Sequence, residues 1–89
     1  MGELDIVARD GKTIVFAEVK ARSSGRCGTP FESVTAAKQR RLCSMAAEYL
    51  LRRRLVDCSC RFDVVAITVE ADGATNVEIV AGAFDCKSG

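Results

Sequence analysis

Glu3-Leu-Asp-Ile-Val-Ala8 and Thr13-Ile-Val-Phe-Ala-Glu-Val-Lys20, with Asp10-Gly11 between them, decide the fold of this chain. The first block alternates, the second is rich in β-branched and aromatic residues, and Asp-Gly is a preferred pair for a two-residue type I′ turn. The stretch reads as a β-hairpin. With Asp10 and Gly11 as turn residues, Arg9 faces Lys12, Glu3 faces Glu18 and Asp5 faces Phe16. Facing residues share a side of a sheet, so Glu3, Asp5, Glu18 and Lys20 project from one face. A bulged turn would shift the register by one and break that arrangement.

Both faces of the hairpin are apolar. Val7, Ile14 and Phe16 accompany the acids, while Leu4, Ile6, Ala8, Val15, Ala17 and Val19 line the other side, the pattern of a sheet covered on both faces. Like charges across a strand pair are destabilising, so the carboxylates need a cation or a shifted pKa. Lys20 supplies one positive charge against three negative ones. A divalent metal with oxygen ligands would balance them, and Mg²⁺ usually takes one or two carboxylates plus water and substrate phosphate. The alternative is a solvated strand end whose acids merely face water.

Working outward, residues 21–30 read as a loop of small, polar and basic residues with two glycines and a proline. Arg22 and Arg26 could meet phosphate there, although an incidental arginine in a connector suits Arg26 better. A helix is expected from Ala36 to Arg54, N-capped by Thr35, with Leu42, Met45, Ala46, Tyr49 and Leu50 as its apolar stripe. Lys38 and Gln39 flank that stripe one turn earlier, and Arg40, Arg41 and Arg52 lie towards the outside. A strand buried on both faces follows at Arg61–Val69. A shorter one at Val77–Ala81 is reached through a turn at Asp72-Gly73. Asp63 is expected to pair with Arg61, and the segment from Gly82 onwards reads as a loose tail.

Composition removes several chemistries. The 89 residues form one domain, carry a formal charge of +1 and contain no histidine, which excludes imidazole-based triads, Cys-His pairs and histidine-ligated zinc. No Cys-x-x-Cys pair exists among Cys27, Cys43, Cys58, Cys60 and Cys86. An odd count with no leader sequence reads as reduced thiols of a soluble, cytoplasmic protein. Seven basic residues against two acidic ones lie between Thr35 and Arg61, which concentrates the positive charge on the helix and its surroundings. Such a run can be a solvated face or an anion-binding one.

Topology joins the acids to this basic segment. In a strand–helix–strand unit with parallel strands, the helix runs antiparallel to them. Its N-terminus therefore lies near Glu18 and Lys20, and Lys38 and Gln39 approach the same patch. The helix dipole favours an anion there. Carboxylates able to hold a metal, with a lysine beside them and cationic groups around, suit a phosphodiester.

Asp5 followed by Glu18-Val19-Lys20 resembles the PD-(D/E)xK constellation of restriction-endonuclease-like nucleases. More narrowly, Gly2-Glu-Leu-Asp-Ile-Val-Ala8, Phe16-Ala-Glu-Val-Lys-Ala-Arg-Ser23 and Arg61-Phe-Asp-Val-Val65 resemble the YraN-like family of uncharacterised bacterial proteins, related to archaeal Holliday-junction resolvases. The resemblance implies an α/β fold, a restriction-endonuclease-like mixed β-sheet with flanking helices, and Mg²⁺- or Mn²⁺-dependent hydrolysis of DNA at branched or repair structures. By position, Asp5, Glu18 and the Val19 carbonyl would hold the metal, and Lys20 would activate or orient water. Glu3 and Gln39 would complete the catalytic set. Arg22, Lys38, Arg40 and Arg41 would bind nucleic acid.

In that family a helix and a strand precede the Gly-Glu-x-Asp block. The resemblance therefore implies a core whose first helix and strand are missing here, and a homodimer or larger assembly that covers what they would cover. The alternative function is a non-catalytic nucleic-acid-binding or assembly module that keeps the fold.

Overall fold

A computed structural model describes residues 4–23 and 34–86. Four strands form one sheet in the order β1-β2-β3-β4: β1 is Ile6–Asp10, β2 Thr13–Ser23, β3 Ser59–Val69 and β4 Thr75–Phe84. Helix α1, Ala36–Arg52, connects β2 to β3, which run parallel, while β1–β2 and β3–β4 are antiparallel. The sheet is therefore mixed, as expected. No helix among the described residues is long and apolar enough to cross a membrane.

The hairpin register differs from the expected one. Asp10 faces Thr13, Val7 faces Phe16 and Ile6 faces Ala17, so the turn residues are Gly11 and Lys12. Gly11 alone has positive φ, at 61°, as in a II′ turn with glycine first. Asp10 stays in the strand, where its carboxylate accepts a 2.8 Å bond from Arg61. Each β1 residue consequently meets a β2 residue two places further on than expected. An even displacement keeps the paired side chains on their faces, so Asp5, Glu18 and Lys20 still come together despite the wrong register.

Ile14, Phe16, Phe62, Leu42 and Ala46 are buried together under α1. The aromatic rings run across the sheet: Phe16 stacks on Phe62 at 5.4 Å and Phe62 on Phe84 at 4.8 Å, while Tyr49 meets Phe16 edge-on at 5.8 Å. These geometries add to area burial. Thr35 caps the helix as expected, its hydroxyl accepting from Lys38 N at 3.2 Å. The helix ends at Arg52, two residues early, because Arg54 adopts a left-handed φ of 58° and Leu55 N donates back to Leu50 O at 2.8 Å. This closure usually uses glycine, and an arginine in its place offered no sequence signal.

Leu4 departs from the alternation. Strand β1 starts only at Ile6, Asp5 lies in a bend, and Leu4 packs against the helix-side core. The segment after Gly82, expected as a loose tail, continues β4 to Phe84. Gly82, at φ 61°, lies where the β3–β4 register shifts between Phe62 and Val64, and its N–H donates to Asp63 Oδ1 at 3.0 Å. Asp63 also takes the Arg61 guanidinium at 3.1 Å, the pairing expected from sequence. The reduced-thiol expectation fails for two cysteines: Cys43 and Cys86 form a disulfide, with Cα atoms 5.7 Å apart. That separation lies in the usual bridging range, and the fold brings it about across 43 residues of sequence. Cys58 and Cys60 are free thiols.

Candidate functional site

The site forms where β1 stops. One step beyond the last pair, Ile6 and Ala17, the chain bends and the Asp5 side chain meets that of Glu18 rather than facing Phe16. There the ladder changes character, because Val19 N donates to the Asp5 side chain, to Oδ2 at 2.9 Å. Glu18 and Lys20 point to the helix side with Phe16, since side chains alternate along β2. From the first turn of α1, Lys38 places its ammonium 3.0 Å from Glu18 Oε2. Lys38 is held there at both ends: its N–H bonds the Thr35 cap, and Leu42 one turn on is buried in the core.

Electrostatics follow from this crowding. Asp5 is held below the ordinary carboxylate range, first by its hydrogen bond with Glu18 and then by Val19 N–H. Glu18 is pushed up by burial and by Asp5, which together outweigh Lys38. Leu4, Phe16, Leu42 and Phe62 line the space beside Glu18 and provide that burial. The Lys20 amine is lowered chiefly by its hydrogen bond with Lys38, and Lys38 is raised by the same contact. Two ammonium groups have no acceptor between them, so such a contact favours one neutral amine. Four titratable side chains thus sit in a chain of contacts, Asp5 to Glu18 to Lys38 to Lys20, with their proton affinities driven apart, an arrangement typical of functional sites.

Glu3, Arg26 and Cys27 lie outside the described residues. Asp5, Glu18, Lys20 and Lys38 are brought together. Arg22 follows Lys20 on the same face of β2. Arg40 and Arg41 are exposed on α1, Arg41 near enough to oppose the Lys38 charge. Gln39 donates its side-chain amide to Val34 O at 3.1 Å, and it lines a surface groove beside Arg40, Cys43 and Asp85. It fastens the entry to the helix. The direct Lys38–Glu18 ion pair was missed by sequence reading, although the position of Lys38 four residues before Leu42 signalled an inward-facing base.

Among the described residues no group of three or more His, Cys, Asp or Glu side chains could hold a metal. The donor set is two hard carboxylates in contact, one of them disfavoured as an anion by burial and by its neighbour. Such a pair fits a hard divalent ion that completes its shell with water or main-chain oxygen.

The sequence model of the uncharacterised protein family UPF0102 matches residues 1–67. A UPF0102 protein of Geobacter sulfurreducens is 46% identical over 84 residues, covering 94% of this chain and 66% of that protein. One from Geotalea uraniireducens is 48% identical with the same coverage. One from Chromohalobacter salexigens is 57% identical over 67 residues, 75% of this chain and 54% of its own length. The chain thus spans up to about two thirds of the length of these relatives.

Proposed function

This chain belongs to the uncharacterised protein family UPF0102, and on that premise we propose that it is a metal-dependent, nuclease-like protein that hydrolyses DNA phosphodiester bonds, with branched or repair structures as substrates. The observation that carries the reading is the contact of Asp5 and Glu18 beside two lysine amines at the end of a hairpin. The mixed sheet with its parallel β2–β3 pair and crossover helix is compatible with a restriction-endonuclease-like core.

Asp5 and Glu18 would hold Mg²⁺ or Mn²⁺, with the Val19 carbonyl as a main-chain ligand. When bound, that ion supplies Lewis-acid charge to a phosphate oxygen and acidifies water. Lys20, its amine lowered by Lys38, is suited to take a proton from the attacking water and then to place positive charge beside the phosphate. Arg22, Arg40, Arg41 and Lys38 would hold the DNA backbone, so affinity should fall steeply as salt rises.

The test pairs Ca²⁺ or Mn²⁺ titration with cleavage of branched, flapped and single-stranded DNA in Mg²⁺ or Mn²⁺. Asp5→Asn and Glu18→Gln should each weaken cation binding at least about tenfold and abolish cleavage. The reading fails if neither this chain nor the longer Geobacter sulfurreducens relative binds a cation or cuts any of these substrates.

A further inference from the structure

We propose that Lys38 is the resident counter-ion of the cation site: it occupies Glu18 until a divalent cation arrives, and its ammonium then serves the phosphate. The inference rests on the nuclease reading and deepens it. Its ground is the 3.0 Å contact between Lys38 Nζ and Glu18 Oε2, made by two side chains that are only 22% and 10% exposed. A protonated lysine has three donors and no acceptor, so it cannot join a metal's ligand shell. Lys38 and a cation therefore compete for Glu18 Oε2, the oxygen that the ammonium holds.

Lys38 has somewhere to go. Its backbone is fixed by the Thr35 cap, but a flexible four-carbon stem carries the charge. It stands in the first turn of α1, where the helix dipole favours an anion, and beside Lys20 and Arg41. A scissile or neighbouring phosphate brings the negative charge that a displaced ammonium needs. Cation and nucleic acid then load the site together: the cation frees Lys38, and the phosphate receives it.

Lys38→Met keeps the stem and removes the charge, so it separates the two roles with opposite signs. Calorimetric titration with Mn²⁺ should show affinity raised roughly fivefold, as expected when a partly buried ion pair no longer competes. Binding of a duplex oligonucleotide in Ca²⁺ should weaken, with the slope of log K against log salt reduced by about 0.9. Lys38→Arg should restore both wild-type values more nearly than Lys38→Gln, and thermal melts of all three check the fold.

Unchanged or weaker Mn²⁺ binding by a folded Lys38→Met protein overturns the inference, while wild-type cation binding leaves the nuclease reading standing. Cation binding by Lys38→Met where the wild type shows none supports it most directly. Silence from both proteins removes the cation site, and the inference with it.

Discussion

The two faces of the sheet are built from similar residues and meet different fates. On the helix side, Ile14, Phe16, Phe62, Val64 and Ala66 are all buried. On the far side, reached by the alternate residues of the same strands, Val15 is buried beside Arg61, but Ile6, Val69, Val77 and Ile79 are 41–63% exposed. Arg61 on β3 reaches across β2 to Asp10 on β1, neutralising that corner, and no helix among the described residues lies over the rest. The difference teaches that alternation assigns a residue to a face but does not say whether that face is covered. The site belongs to the covered side, and that cover is the first cause of the raised Glu18.

Substitutions can break or sharpen this contrast. Phe62→Ala should have the largest effect, about 3–5 kcal/mol of stability by denaturant titration, because Phe62 stacks between Phe16 and Phe84 and leaves a cavity. A loss below about 1 kcal/mol would mean that the helix-side core is far looser than its burial implies.

Asp63→Ala comes next, at about 2–3 kcal/mol, since it strands the Gly82 N–H and half of the Arg61 pairing. It tests whether the far face has one ordered polar anchor. Hydrogen exchange at Gly82 and Phe84 should accelerate in the variant. An unchanged rate would show that β4 does not need Asp63.

Ile79→Ala should be the mildest, within about 0.5 kcal/mol at low protein concentration, because an exposed side chain loses little by truncation. Sedimentation and melting across a concentration series sharpen the comparison. A cost that grows with concentration would place a second copy on the far face, the assembly expected from sequence. A large cost independent of concentration would contradict the exposure itself.

Much of the candidate site was legible before any coordinates. Glu18 and Lys20 are two apart in a strand, so they share a face whatever the turn does, and Asp5 joins them for any even displacement of the register. Turn chemistry was the weaker guide. Asp10-Gly11 satisfies a I′ turn locally, yet Asp10 gains an ion pair with Arg61, 51 residues away, by remaining in the strand. Gln39 illustrates a second limit: its place at the helix start was readable, but its hydrogen bond to Val34 O depends on how the preceding chain enters the helix.

The amino-acid sequence by itself determined the local quantities: that four strands and one helix form, where α1 starts, which side chains alternate together within a strand, and that histidine chemistry is absent. These follow from periods of two and 3.6 and from one capping threonine. Tertiary structure alone decided the pairings between distant residues: Asp5 beside Glu18, Lys38 on Glu18, Cys43 with Cys86, and Asp63 on Gly82. Each joins groups whose separation depends on register and on helix placement. Those are settled by summed packing over the whole sheet, which no short stretch of the chain contains.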